Sequence, residues 1–214
     1  MNTLRNRRLY IGMIGIAVVY ILYVTFMNFI HDPQATAFLD HKAGLKRSVN
    51  TDIWLPVMMV HIIFACVAML AGAVNFSNLV LTRYRSFHRA NGYLYVIAVC
   101  IVDITSGYMA PFATGGKINS MAFNFINLIW LLMTIAAVVF IKRKQVMKHR
   151  KWMIRSYVFC YTNLFIHLLT YLASKGAGLP YVTSYTIGVY GAIVINILIA
   201  EWIIRRILPR KGDG

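Results

Sequence analysis

Acidic side chains are scarce in this chain: six Asp and Glu stand against 22 Lys and Arg in 214 residues, a formal net charge of +16. A surplus of that size would suit nucleic acid. Here the basic residues come in short clusters between long apolar runs, which is the pattern of membrane topology and leaves nucleic acid out as a partner. Cysteine is also rare. Cys66, Cys100 and Cys160 form no CxxC pair and no CxxCH, so neither a disulfide framework nor covalently attached c-type haem is expected, and all three read as small buried hydrophobes. No Walker-type P-loop, GxGxxG, HExxH or GxSxG occurs, which removes the common nucleotide, protease and hydrolase signatures. Long polar stretches are missing as well, the longest running from His31 to Ile53, so no soluble domain is expected.

What the chain has is apolar length. With 59% hydrophobic residues and a mean hydropathy of +0.64, it falls outside the range of soluble domains. Six segments are long enough to cross a hydrocarbon core of about 30 Å: residues 9–30, 54–81, 92–112, 121–141, 152–173 and 182–204. The expectation is an all-α fold, a polytopic membrane helical bundle of six transmembrane helices making one domain over residues 1–214, with short loops setting neighbours antiparallel. Arg5, Arg7 and Arg8, then Arg83, Arg85 and Arg89, then Lys142, Arg143, Lys144, Lys148, Arg150, Lys151 and Arg155, and last Arg205, Arg206, Arg210 and Lys211 all fall on one side. These are 17 of the 22 basic residues. Only Lys42, Lys46, Arg47, Lys117 and Lys175 fall on the other. The positive-inside rule then places both termini in the cytoplasm. The apolar run after RNRR is 22 residues long, too long for the h-region of about 7–15 residues in a signal peptide, and reads as a retained anchor.

Ionisable groups inside a bilayer are costly and need a partner. Those within or beside the spans are His61, Asp103, His167 and, near the inner end, Glu201, for which Arg155 or Arg205 is the expected partner. At 1.5 Å per residue, His61 and His167 both lie about 10 Å below the outer boundary. His88 and His149 share the inner boundary, so the four rings form an outer and an inner pair. His149 and His167 are 18 residues apart, five whole turns of a continuous helix, which would put both on one face about 27 Å apart. Between them that face carries Met153, Ser156, Cys160 and Asn163. On the second span His61, Ala65, Ala68, Gly72 and Asn75 follow helical spacing, and their small side chains leave a groove for a flat cofactor or a close neighbouring helix. The third span offers His88, Gly92, Tyr95, Val99, Asp103 and Ser106 on one side, the fourth Ser120, Asn124, Asn127 and Thr134. Trp54, Trp152 and Trp202 read as interfacial anchors.

Neutral imidazole is a good axial ligand for haem iron, and two from opposite sides make a centre suited to electron transfer. The plainer account of each histidine is an interhelical hydrogen bond, or at the inner edge a contact with lipid headgroups. Asp103 suits a proton carrier, a cation site or a hydrogen-bonded carboxyl.

The succession HIIFACVAMLAGAVNF, FHRANGYLYV and KHRKWMIRSY resembles the bacterial integral-membrane family catalogued as domain of unknown function 2306, over Trp54 to Glu201. That family implies a multi-span membrane protein and no established activity. The histidines also resemble, more loosely, those of two-haem cytochromes b of the ascorbate-reducible and ferric-reductase kind. This second likeness implies haem b held by His61 with His167 and by His88 with His149. It departs from that pattern in having no histidine on the fourth span and two on the fifth. The leading expectation is a haem b membrane protein moving electrons from a quinol or other small reductant, a membrane oxidoreductase with iron on His61 and His167. The alternatives are a proton, cation or solute transporter using Asp103 and the histidines, a non-catalytic assembly partner of a larger membrane complex, and a membrane hydrolase with a histidine-bound metal.

Overall fold

The computed structural model describes residues 2–40 and 49–207. Lys42, Lys46, Arg47, Arg210 and Lys211, counted above in the charge pattern, lie outside the described residues. The protein is an all-α membrane protein. Two compact units, Met1–Thr105 and Ser106–Gly214, divide it.

The first unit opens with α1 (Asn2–Phe26), which runs on through one π-helical turn, Met27–His31. A short α2 (Thr36–Asp40) follows. The Asp32 carboxylate anchors it, accepting from the Thr36 N–H at 2.9 Å, the Thr36 hydroxyl at 2.8 Å and the Ala37 N–H at 3.1 Å. The Thr36 backbone bond in particular holds this carboxyl below its usual range. In α3 (Thr51–Asn75) Asn50 is the N-cap, its side chain accepting from the Asp52 N–H at 3.1 Å. The expected span 54–81 is corrected here: α3 ends at Asn75, Ser77 is extended, and residues 78–83 form a separate α4 (Asn78–Arg83). The polar run Asn75, Ser77, Asn78 interrupts the helix although the hydropathy around it stays high. The next helix, α5 (Arg85–Met109), begins seven residues before the expected Gly92 and carries His88 in its first turn.

The second unit takes up the end of α5, a 3-10 turn Ala110–Phe112, and a tight turn in which Gly115 and Gly116 have φ of 85° and 68°, backbone that glycine adopts without strain. Helices α6 (Lys117–Lys142), α7 (Val146–Val158), α8 (Thr162–Tyr171) and α9 (Tyr181–Ile207) follow. Among the described residues five continuous helical stretches, Arg7–His31, Thr51–Asn75, Arg85–Phe112, Lys117–Lys142 and Tyr181–Ile207, are long and apolar enough to cross a membrane, the first ending in the π turn and the third in the 3-10 turn. The expected crossing 152–173 is not one helix. It is made of α7, a 3-10 turn Phe159–Tyr161, α8 and a π turn Leu172–Gly176. Arg155 meets Glu201, Thr162 meets Asn196, and Gly188 lies against Ile166 and Thr170, so each step forward along α7–α8 matches a step back along α9. The two run antiparallel from the Arg155–Glu201 pair to the contact of Thr170 with Gly188.

Gly188 sets the closeness of that packing. A Cβ there would stand 2.4 Å from Thr170 Oγ1 and 2.7 Å from the Ile166 carbonyl oxygen. The absence of a side chain therefore lets α8 and α9 touch backbone to backbone. The three cysteines form no disulfide.

Candidate functional site

In the first unit the site is built around His61 on α3. Thr105 Oγ1 of α5 lies 2.8 Å from the Ile101 carbonyl oxygen and 2.9 Å from that of Val102. Carbonyls only accept, so the single hydroxyl proton is used on them. His61 Nδ1, 3.0 Å from the same hydroxyl, therefore donates to it, and Nε2 keeps the lone pair. One helical residue thus fixes the ring and its tautomer from the neighbouring helix.

Nearer the C-terminal end of α3, Asn91 of α5 donates to the Ala71 carbonyl at 2.7 Å and to Asn75 Oδ1 at 2.9 Å. The Tyr10 hydroxyl of α1 donates to the Ala73 carbonyl at 3.2 Å. Ala68 and Gly72 are buried. Small side chains on this stripe thus serve close helix contact at Ala68 and Gly72, and the stretch around His61 and Ala65 stays partly open. Asp103, two residues from Thr105, has both carboxyl oxygens closed off from solvent and no hydrogen-bond partner among the described residues. Trp54, expected as an interfacial anchor, is instead 2% exposed and stacks on Phe38 at 5.7 Å.

In the second unit His149, at the start of α7, donates from Nδ1 to the Ala137 carbonyl of α6 at 2.9 Å. It stands before the apolar stretch that begins at Trp152, and burial pushes its ring below the usual imidazole range, against the opposite pull of that carbonyl. Its Nε2 is then the free lone pair at neutral pH. Farther along, Thr134 of α6 and Ser156 of α7 pair through their hydroxyls at 2.8 Å, both fully buried. Asn196 of α9 donates to Thr162 Oγ1 at 2.8 Å, and Thr162 donates to the Phe159 carbonyl at the 3-10 turn. Glu201 pairs with Arg155 at 2.6 Å, and the same guanidinium covers the Trp152 ring at 4.8 Å. Of the two partners considered for Glu201, Arg155 is the one used.

His167 does not share a face with His149. The shared face required a continuous α-helix, and three residues of 3-10 helix at 120° each, rather than 100°, turn the later segment by about 60°. His149 accordingly points to α6, while His167 and Asn163 lie on the exposed side of α8. Asn124 of α6 is exposed too, and the buried amide near the start of that helix is Asn119, donating to the Thr114 carbonyl at 2.7 Å and to Thr186 Oγ1 at 3.0 Å.

A family model described as "Predicted membrane protein (DUF2306)" matches residues 58–204. The chain belongs to that family. The DUF2306 segment takes in His61, His88, Asn91, Asp103, Thr105, His149 and His167, and leaves out α1. No curated protein and no solved structure matches the chain. Among the described residues no three His, Cys, Asp or Glu side chains come together as a cluster able to hold a metal ion.

Three residues of the DUF2306 segment that the sequence alone passes over matter to its geometry: Thr105, Asn91 and Asn196. Asn196 is a lone polar residue in an apolar run, while Asn91 and Thr105 stand close to His88 and Asp103. That signal was present, but it does not say which neighbour the residue serves.

Proposed function

We propose that this membrane protein binds haem b and transfers electrons, with His61 towards the outer boundary and His149 at the inner boundary each serving as an axial imidazole at a separate position. One observation carries the proposal: two rings on different helices each give Nδ1–H to an oxygen of the chain and keep Nε2 as a lone pair. Metal-ligating histidines have this arrangement, in which the second bond fixes the ring and raises its basicity. When bound, haem supplies a one-electron ferric–ferrous couple. The chain's own part is to hold the imidazoles: Thr105 for His61, the Ala137 carbonyl for His149. His88 and His167 complete the four-histidine set in this reading. Among the described residues no hydrogen bond selects a tautomer for His167. The donor fits a lipid-soluble reductant such as a quinol, and the basic clusters fit a bacterial plasma membrane with both termini cytoplasmic. The test is haem content of detergent-purified protein after haem-supplemented expression. Bound haem lost in His61→Ala and His149→Ala supports the proposal, and protein that takes up none ends it.

A second reading rests on Asp103. A carboxyl enclosed on an apolar helix with no partner suits a site that takes up and releases a proton or a cation. Flux into liposomes that disappears in Asp103→Asn would favour it, and absence of flux would remove it.

A further inference from the structure

We infer that the groove between α7 and α9, at the membrane face that carries the basic clusters, binds an anionic phospholipid, its phosphate held by Lys151, Arg205 and the remaining N–H groups of Arg155. The Arg155–Glu201 pair fixes the register of the two helices. Lys151 stands four residues back along α7, and Arg205 four residues on along α9. Because the helices are antiparallel, both steps lead the same way. The two cations therefore lie one turn beyond the pair, about 6 Å nearer the membrane surface, on the faces that meet at it. Neither makes an ion pair among the described residues. Glu201 takes only Nε of Arg155, which leaves both Nη groups to donate to a further anion.

Aromatic rings hold these cations in place. Lys148 shares the face of Lys151 and Arg155 at spacings i, i+3 and i+7. Its Nζ lies 5.3 Å over the Phe140 ring of α6, Phe140 stacks on Trp152 at 6.4 Å, and Trp152 carries the Arg155 guanidinium at 4.8 Å. On α9 the exposed Val194 and Leu198 share the face of Glu201 and Arg205 at i, i+4, i+7 and i+11. That apolar strip leads from the cations into the membrane, as acyl chains lead from their phosphate.

The counter-charge must come from outside the chain. Its six acidic residues are Asp32, Asp40, Asp52, Asp103, Glu201 and Asp213. The first three lie between the first and second crossings, at the opposite membrane face, Asp103 lies within a crossing, Glu201 is already paired, and Asp213 stands beside Arg210 and Lys211 in the tail. Wherever the first unit lies, its charges on this face are Arg5, Arg7, Arg8, Arg83, Arg85 and Arg89, so it adds cations and no anion. Basic pockets between crossing helices on this side suit anionic headgroups, whereas a zwitterionic headgroup brings no net charge. His149 stands about 160° round α7 from Lys151 and bonds to α6, so the site is separate from that imidazole.

The test is native mass spectrometry of the full chain, purified in detergent without added haem and titrated with phosphatidylglycerol or with phosphatidylcholine. The expected result is a phosphatidylglycerol adduct about tenfold or more tighter than that of phosphatidylcholine, weakened about fivefold in Lys151→Gln and in Arg205→Gln and about 25-fold in the double variant. Arg85→Gln, which takes the same charge from the first unit, should leave it unchanged, and Arg205→Lys should keep most of the affinity, which separates lost charge from lost fold. Inorganic phosphate at millimolar concentration should not displace the lipid. Equal affinity for the two lipids, a double variant that binds like the parent, equal weakening in Arg85→Gln, or displacement by inorganic phosphate would each overturn the inference. It does not depend on haem: lipid bound by a protein that takes up no haem would remove the proposed function and leave this site standing.

Discussion

Replacing Gly188 by alanine adds one methyl group at the closest approach of α8 and α9. That group would arrive 2.4 Å from Thr170 Oγ1 and 2.7 Å from the Ile166 carbonyl oxygen. The hydroxyl can rotate away, but the carbonyl belongs to the backbone of α8, so the helices must separate by several tenths of an ångström. Overpacking of this kind costs about 1–3 kcal/mol. Moving the helices apart would also stretch the Asn196–Thr162 bond one to two turns away. Two other glycines calibrate the effect. At Gly191 the added Cβ meets only the tip of Leu169, 2.6 Å from Cδ1, which can change rotamer, and the cost should stay below about 1 kcal/mol. At Gly107 nothing lies within 4 Å, and alanine should be neutral or favourable by up to about 1 kcal/mol through helix propensity. Unfolding in mixed micelles with increasing denaturing detergent gives all three. The order expected is Gly188→Ala least stable, Gly191→Ala intermediate, Gly107→Ala at or above the parent. Gly188→Ala as stable as Gly107→Ala would refute the close backbone contact.

Arg155 and Glu201 make a pair that is part exposed, 26% and 38%. Glu201→Gln should therefore cost less than about 1 kcal/mol. Arg155→Ala should cost more, since it also loses the contact over Trp152, and the same detergent titration reads both. Asp32 has a folded-state pKa below its ordinary 3.8. Its stabilising contribution is therefore complete above that value and is lost as pH falls through the lower folded value. Amide exchange protection at Thr36 and Ala37 should hold from neutral pH down to 3.8 and fall away only below it, and Asp32→Ala should remove it at every pH.

Much of the fold was legible from apolar length alone. The segments at 9–30, 121–141 and 182–204 appear as helices within a few residues, because an uninterrupted apolar run in lipid has no other way to satisfy its backbone. Hydropathy is blind to hydrogen-bond period, and the 3-10 turn at Phe159–Tyr161 therefore went unseen, although a turn of about 60° moves His167 and Asn163 off the face of His149. It also overran Asn75, where three polar residues end α3 inside a stretch whose average stays apolar. The site was half legible. His61 and His149 stand out because an imidazole in or beside lipid needs a reason. Thr105, which fixes the His61 tautomer, looks like any threonine in an apolar helix until α5 is laid beside α3. The helical spacing that groups Asn124 with Thr134 does not separate them by burial: Asn124 is exposed, Thr134 is buried, and the buried amide is Asn119, near the start of the same helix.

A reduced-minus-oxidised optical spectrum of the full chain, recorded for the parent, His61→Ala and Thr105→Val, tests haem ligation at His61 most directly. Ligation predicts a low-spin b-type difference spectrum in the parent and its loss in His61→Ala. In Thr105→Val, haem would be retained with a shifted midpoint potential, because the ring keeps its lone pair but loses the bond that tunes it. A parent with no haem signal, or a spectrum that His61→Ala leaves unchanged, would contradict it.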